Sequence, residues 1–249
     1  MLSSFSSTRP LIGVSEIARE VGLSRSSAHR YIATLAALGY LEQDRATRRY
    51  RLGPRVLDLG FSAINSMELR DLALPHLQAL SDSTGHTVNM AVLDGIDIVY
   101  VERCRSASIG QREIDLNLHV GSRLPAYCTS MGKVLLAGLD EAELASRLAE
   151  VELSRRGPNT IVAGPALLAE LARVRGQGLA VNNEELAYGL RSIAAPVRGR
   201  DGEVVAAINL AVHRSLVSME DLVVRLGPAL RATALEISSR AGFRPAAYV

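Results

Sequence analysis

Several residue types that mark common protein classes are scarce in this sequence of 249 residues. Its two cysteines, Cys104 and Cys128, have no CxxC spacing, which argues against a disulfide framework and a zinc site. No apolar run approaches the ~20 residues that span a bilayer. The first residues lack the charged and apolar parts of a secretory signal. We therefore expect a cytoplasmic protein with no membrane contact, no metal and no cofactor.

Lysine is almost absent as well, because Lys133 is the single lysine among 28 basic residues. The formal net charge is only +2, but it is unevenly distributed. Residues 1–66 hold nine arginines and five acidic residues, a net charge of +4, which leaves −2 for the remainder. A GC-rich genome would also favour arginine. A basic head on a slightly acidic body nevertheless predicts an anionic partner for the first part of the chain.

Two short helices joined by a tight turn are predicted near the start of the chain. The apolar spacing of residues 14–21 predicts the first helix, with Ser15 as its N-cap. Ser24 is a suitable N-cap for a second helix over residues 25–38. The apolar residues of this second helix, Leu38 included, are expected to face inward.

A basic hairpin follows, because residues 40–53 predict two short strands around the polar turn 44–47. Helix, turn, helix and hairpin in this order are typical of a winged helix-turn-helix, whose second helix enters the major groove. The alternative is a charged helix and hairpin with no DNA role. We expect the second helix to read bases and the wing to hold phosphates. The predicted DNA-binding residues are Ser24, Arg25, Ser26, Ser27, His29, Arg30, Arg45, Arg48 and Arg49.

The remainder predicts an α+β fold with a largely antiparallel sheet. Hairpin turns are expected at Asp94-Gly95 and at 200–202. A strand is expected within 111–118, and a helix is expected to begin near Ala126. Further helices are predicted at 54–66, 68–84 (interrupted by Pro75), 140–150, 165–175 and 218–241. The predicted organisation is a winged helix-turn-helix over 1–53, linker helices over 54–85 and a ligand-binding domain over 86–249.

The second half contains no recognisable catalytic motif. The segment Thr129-Ser130-Met131-Gly132-Lys133 lacks the residues that complete a phosphate-binding loop. Cys128 beside His119 leaves an enzyme as an alternative. A sensor of small acids is favoured, because the helix after Pro125 would offer backbone N–H groups to a carboxylate. The polar residues expected to converge there are Thr129, Ser130, Asn182, Arg191, Ser192 and Asn209.

The chain resembles the IclR family of transcriptional regulators over nearly its whole length. The segments that carry the resemblance are SEIAREVGLSRSSAHRYIATLAALGYL (15–41), RYRLGPRVLDLG (49–60), GSRLPAYCTSMGKVLLA (121–137), GLAVNNEELAYGLRSIAAPV (178–197) and GEVVAAINL (202–210). The resemblance implies an N-terminal winged helix-turn-helix, a linker helix and a GAF-like effector domain. It also implies dimers or tetramers that bind operator DNA and control catabolic operons.

The family's pocket for small acids implies further site residues. It would be built from the segment holding Tyr127, Thr129, Ser130 and Met131, together with Asn182, Ser192 and Asn209. Two positions depart from the family pattern: Asn182 replaces an acidic residue, and Ala211 lacks a hydroxyl. The family also has a full first helix before residue 15, where this sequence has only MLSSFS and a short connection. A missing helix would thin the core behind Ile17.

Within the family, the sequence is most similar to the branch that controls aromatic-acid breakdown, the protocatechuate and 4-hydroxybenzoate regulators of the β-ketoadipate pathway. We therefore predict a DNA-binding regulator of such an operon, with a small aromatic or dicarboxylic acid as effector. The alternative is a small-molecule sensor whose basic head binds a protein partner.

Overall fold

The structure is a computed structural model that describes residues 1–6, 8–65, 68–105, 117–149 and 151–244, without the side chains of 61–65. The strand predicted within 111–118 lies almost entirely outside these residues. The chain divides into two compact units, residues 1–67 and residues 68–249.

The first unit is a winged helix-turn-helix, as predicted. Its two strands pair antiparallel, with Leu41 opposite Leu52. The turn residues 44–47 connect them. Its elements are α1 (Val14–Glu20), α2 (Arg25–Ala37), β1 (Leu41–Gln43), β2 (Tyr50–Leu52) and α3 (Arg55–Asn65).

Helix capping in this unit follows the sequence in one place and departs from it in another. Ser24 caps α2 by accepting a hydrogen bond from the backbone N–H of Ser27 at 3.2 Å, as predicted. The prediction that Ser15 caps α1 is wrong. The helix begins at Val14 and its N-cap is Gly13, two residues before Ser15, and the carboxylate of Glu16 accepts from the backbone N–H of Gly13 at 2.9 Å.

The core of the first unit is small and aliphatic. Its fully buried residues are Ile12, Ile17, Ile32 and Leu41, with Tyr50 beside them. Residues 1, 2 and 5 are partly buried against this core, in the region where the sequence predicted a thin core. Leu38 does not face inward as predicted, since it is 46% exposed at the C-cap of α2, beyond the last full turn.

The second unit is an α+β domain around one antiparallel sheet. Strand order across the sheet is β5-β4-β3-β8-β7-β6. The strands are β3 (Thr87–Asp94), β4 (Asp97–Cys104), β5 (Arg123–Pro125), β6 (Ala180–Asn183), β7 (Leu190–Arg198) and β8 (Val204–His213). The helices are α4 (Glu68–Thr84), α5 (Ser130–Ala137), α6 (Glu141–Ala149), α7 (Gly164–Gln177), α8 (Met219–Asp221) and α9 (Gly227–Arg240). Both predicted hairpins are present, β3–β4 and β7–β8.

Helices cover the two faces of this sheet. α5 packs on one face, against β3, β6, β7 and β8, and α7 packs behind it. α4 and α9 contact each other and pack against β3, β4, β7 and β8. Because side chains alternate along a strand, each strand presents one set of residues to α5 and the other set to α9 or α4.

Two helix boundaries differ from prediction. The helix expected from Ala126 is a 3-10 turn over Ala126–Cys128, and α5 begins only at Ser130. Gly132 lets α5 approach this turn, because a Cβ at this position would collide with the backbone of Ala126. The last helix contains a π-helical stretch, Leu222–Leu226, before α9. Pro228 follows in the first turn of α9, where its missing N–H costs little.

Candidate DNA-binding surface and polar face of the sheet

The start of α2 carries a row of exposed polar side chains. Ala28 and Ile32 are fully buried and fix the orientation of the helix. The opposite side therefore presents Arg25, His29 and Arg30 to solvent, together with Ser26. Among the described residues, the side chains of Arg25 and Arg30 have no hydrogen-bond or ion-pair partner within the chain. This arrangement leaves their guanidinium groups available to base edges or phosphates.

Two of the predicted contact residues have a local structural role. The hydroxyl of Ser24 lies 3.0 Å from the hydroxyl of Ser26 and donates to the hydroxyl of Ser27, also at 3.0 Å. Ser24 and Ser27 are thus joined in the cap of α2, and Ser27 is only half-exposed. Their hydroxyls hold the helix start in place.

The wing is shaped by its turn. The backbone N–H of Thr47 donates to Asp44 at 2.7 Å, and the Thr47 hydroxyl donates to the same carboxylate oxygen at 2.6 Å. These bonds lower the pKa of Asp44 below its usual value. Arg45 and Arg48 are exposed at this tip, and Arg48 adopts a left-handed backbone with φ of 58°.

Arg49 is less free than the other wing arginines. Its guanidinium lies 2.9 Å from the carboxylate of Glu16 and also donates to the carbonyl of Leu11 at 3.4 Å. Glu16 is the residue that caps α1, so Arg49 connects the wing to the first helix. Its predicted phosphate contact would compete with this ion pair.

One face of the sheet in the second unit is lined by polar residues. Ser192 lies opposite Asn182, and Ala194 lies opposite Asn209, which in turn lies opposite Asn89. Residues that pair directly across antiparallel strands share a face. Ser192 contacts α5, because its hydroxyl lies 2.7 Å from that of Ser130. We call Asn89, Arg103, Asn182, Ser192 and Asn209 the polar face.

Asn182 is fully engaged within the protein. Its amide donates to the carbonyl of Cys128 at 2.8 Å, and its side-chain oxygen accepts from the backbone N–H of Glu185 at 3.0 Å. It therefore connects β6 to the turn before α5. An ionised carboxylate at this position could not donate to the Cys128 carbonyl, so the contact requires the amide.

Asn89 and Arg103 were not predicted as site residues. The guanidinium of Arg103 donates to the side-chain oxygen of Asn89 at 3.1 Å, and the Asn89 amide donates to Asn209 at 2.8 Å. Asn89 could have been predicted, because the alternation of apolar and polar residues along β3 places it on a buried face of the sheet. Nothing in the sequence marks the register irregularity in β4 that brings Arg103 opposite Asn89.

Arg191 does not join the other predicted effector residues. It precedes Ser192 on β7 and so points to the opposite face. Its guanidinium donates to the side chain of Asn183 at 3.0 Å and to the carbonyl of Val217 at 3.0 Å, just before α8. The structure therefore separates Arg191 from the polar face, and we do not include it in the proposed effector site.

The start of α5 holds the remaining predicted residues. Thr129 caps the helix by accepting from the backbone N–H of Gly132 at 3.0 Å. Ser130 and Met131 occupy the first turn and are buried. The first N–H groups of a helix have no partner within it, so this end can face an anion. Tyr127 is buried before it, and its hydroxyl donates to the carbonyl of Ser154 at 2.7 Å.

A buried charge cluster lies one turn further along α5. The ammonium of Lys133, which is 1% exposed, lies 2.6 Å from Glu185 and 3.2 Å from Glu170. Burial, opposed by the charge of Lys133, raises the pKa of Glu185 above its usual value. The cluster joins α5 to α7 and to the segment after β6, so the lysine is enclosed by its acidic partners.

The geometry argues against the enzyme alternative. Burial raises the pKa of the Cys128 thiol to about 12, so it is protonated at neutral pH.

Among the described residues no group of three or more histidine, cysteine or acidic side chains could hold a metal ion. Within the same part of the chain, no helix combines the length and apolar character needed to cross a membrane.

A winged helix-turn-helix with free arginines, joined to a domain with a polar sheet face, defines a DNA-binding regulator with a ligand-sensing domain. The IclR helix-turn-helix domain matches residues 1–45. The model of the bacterial transcriptional regulator IclR C-terminal domain matches residues 61–239. The chain belongs to the IclR family of transcriptional regulators, which are DNA-binding proteins and not enzymes.

Sequence similarity to known relatives covers almost the whole chain. The Pca regulon regulatory protein of Pseudomonas putida is 37% identical over 95% of this chain and 80% of its own length. The p-hydroxybenzoate hydroxylase transcriptional activator of Acinetobacter baylyi is 34% identical over 95% of this chain and 87% of its own. The crystal structure of an IclR homolog complexed with 4-hydroxybenzoate, from Microbacterium hydrocarbonoxydans, matches with a TM-score of 0.76 and 27% identity, covering 96% of this chain and 95% of that chain.

Proposed function

We propose that this transcriptional regulator controls an operon for aromatic-acid breakdown and responds to a small carboxylic acid. The observation that carries the proposal is that one chain has both features: the first unit exposes arginines at the start of α2, and the second unit buries a polar face. The names of two relatives and the 4-hydroxybenzoate bound to a third homolog support an aromatic acid as effector.

The DNA contacts would divide by location. At the exposed start of α2, Arg25, Ser26, His29 and Arg30 would face base edges, because this end of the recognition helix points into the major groove. On the wing, Arg45 and Arg48 would contact phosphates, while Arg49 would do so only by leaving Glu16. Ser24 and Ser27 would act through the helix cap.

The effector would bind between the polar face and the start of α5. Ser130, Ser192 and Asn209 would supply hydroxyl and amide groups, and the first N–H groups of α5 would face the carboxylate. Thr129 and Asn182 would hold this helix start in place through their bonds to Gly132 and Cys128. Met131 and Tyr127 would contribute apolar walls.

The family suggests how binding would reach the DNA. We propose a homodimer or tetramer in which residues 1–53 bind DNA, residues 54–85 link the two functions and residues 86–249 hold the effector. The acid would favour one arrangement of the linker helices and so change the spacing of the paired DNA-binding units.

The test is a binding measurement on a fragment of the promoter next to this chain's own gene. Affinity should fall steeply with salt, because arginines that neutralise phosphates release counterions. Addition of 4-hydroxybenzoate or protocatechuate should change the affinity, whereas a flat salt response would favour a protein partner for the basic head. A thermal-shift screen should separately show stabilisation of the chain by the effector.

A further inference from the structure

We propose that Arg70, at the start of α4, is the positioning residue through which effector binding at the polar face changes operator affinity. The inference rests on the proposed function, which places the effector beside Asn209. It adds the residue that couples the effector to the DNA.

Arg70 lies close to the boundary between the two units. The first unit ends at residue 67, and α4 begins at Glu68. A shift of this helix start would therefore move the point at which the first unit is attached. A cation in the first turn is unfavourable for the helix itself, because the helix dipole is positive at this end. The contacts that favour Arg70 at this position must lie outside α4.

Those contacts are with the bulge in β4. The register of β3 and β4 shifts between Met90 and Ala91, which leaves Val101 as an extra residue without a partner on β3. Arg70 donates to the Val101 carbonyl at 3.3 Å, and its guanidinium lies 2.7 Å from the carboxylate of Glu102. Because Glu102 is buried, its charge depends on this partner. α4 is thus bound to the part of β4 where the ladder is interrupted.

The carboxylate of Glu102 also leads to the polar face. Its other oxygen accepts from the backbone N–H of Arg103 at 2.9 Å. The guanidinium of Arg103 donates to the side-chain oxygen of Asn89 at 3.1 Å, and the Asn89 amide donates to Asn209 at 2.8 Å. A chain of direct contacts therefore runs from Asn209 through the bulge to Arg70.

The bulge is the point at which this chain of contacts can shift. A bulged residue lacks a ladder partner, so β4 is held there by Arg70 in place of a neighbouring strand. An effector that binds the side-chain oxygen of Asn209 takes an acceptor from Asn89, and the adjustment would reach Glu102 and Arg70. Networks of this kind can carry the coupling between two separate sites.

The experiment measures a coupling ratio, which is the operator dissociation constant with effector divided by the constant without it. The full chain would be titrated with the promoter fragment, with and without 4-hydroxybenzoate or protocatechuate. Arg70→Gln/Glu102→Gln removes the ion pair and leaves no buried charge unpaired. This variant should bind the operator alone and the acid alone within about threefold of the wild type, since neither residue contacts either ligand. Its coupling ratio should move toward one by roughly 2- to 30-fold.

Two further variants separate coupling from a general structural effect. Arg70→Lys keeps the charge and should retain part of the coupling ratio. Arg123→Gln/Asp94→Asn breaks a 2.7 Å ion pair at the opposite end of the same hairpin and should leave the ratio unchanged. In the wild type, the acid should change amide hydrogen exchange at 68–73 and 101–103, a measurement that requires no variant to fold.

The outcomes distinguish this inference from the proposed function. A wild-type coupling ratio in Arg70→Gln/Glu102→Gln overturns the inference while the effector function stands. Loss of acid binding in that variant also overturns it, because Arg70 would then support the effector site itself. The same holds if the Arg123→Gln/Asp94→Asn control loses its coupling equally, or if the acid binds without changing exchange at 68–73. A wild-type ratio of one with both acids overturns the proposed function together with this inference.

Discussion

The exposed arginines at the start of α2 and at the tip of the wing contrast with arginines of the second unit that are bound within the fold. In the first unit, Arg25, Arg30 and Arg45 extend into solvent with no partner among the described residues. In the second, arginines such as Arg70 and Arg191 donate to acids and carbonyl groups of the fold. These three side chains add no contact to the scaffold of the first unit, whereas the residues of the polar face help to hold their own unit together. Substitution of these exposed arginines should therefore change function, and substitution of the buried polar groups of the second unit should change stability.

The largest expected effect is at the buried charge cluster. Lys133→Met would leave Glu185 and Glu170 buried without their cation, which should lower the free energy of unfolding of the second unit by about 3–5 kcal/mol. Urea denaturation followed by circular dichroism measures this. The control is Arg225→Met, which breaks an exposed pair with Asp221 and should cost under about 1 kcal/mol. Equal costs would show that the cluster is not part of the scaffold.

The next effect is at the amide that joins β6 to the turn before α5. Asn182→Ala would remove a partner from the Cys128 carbonyl and from the Glu185 N–H, at about 1–3 kcal/mol for each buried group. Asn159→Ala removes a single bond at an exposed position and serves as the control. Comparable denaturation midpoints for the two variants would contradict the structural role of Asn182.

In the first unit we expect a loss of affinity without a loss of stability. Arg30→Ala should weaken operator binding by about 1–3 kcal/mol and relax the preference at one base pair. Its unfolding curve should match the wild type within about 0.5 kcal/mol, since the side chain is exposed. Arg45→Ala is the comparison, because loss of a phosphate contact should weaken all sequences alike and reduce the salt slope by about 1. The same uniform loss for Arg30→Ala would reassign Arg30 to the backbone.

The smallest effect concerns two adjacent acids with opposite pKa shifts. The N–H of Gly189, together with Arg214, lowers the pKa of Glu184, whereas burial raises the pKa of Glu185. The stability that Glu184 contributes is present above the usual value of 4.5 and is lost as pH falls through its folded pKa. The contribution of Glu185 is present below 4.5 and is lost as pH rises through its folded pKa. Carboxyl titration by NMR should place the two midpoints on either side of 4.5, and the same order should disappear in urea.

Local signals predicted most of the fold. The Ser24 cap, the Asp94-Gly95 turn and the two hairpins depend on residues a few positions apart, so the sequence contains them directly. The helix expected from Ala126 failed because a 3-10 turn and a helix start have the same apolar pattern over three residues. The Ser15 prediction failed because Gly13 and Glu16 satisfy the same N–H groups in another way.

The two candidate sites differ more sharply in how many of their residues the sequence predicts. The exposed arginines of α2 follow from helical spacing alone. Arg191 and Ser192 were grouped although adjacent strand residues must face opposite ways, so strand alternation already separated them. The position of Arg103 on the polar face could not be predicted, because the register shift beside Met90 has no signature in the residues around it. The polar face draws on five strands and so depends on register, and one extra residue changes which side chain lies on it.

The burial of Lys133 also defines the reactive surface of the protein. Because the chain contains no other lysine, amine-directed acylating reagents have one side-chain target, and folding encloses it between two carboxylates. The surface cations are guanidinium groups, which such reagents leave intact, so the DNA-binding arginines would keep their charge during labelling. The rate at which Lys133 is acylated would then measure how often the second unit opens while the first unit stays bound to its operator.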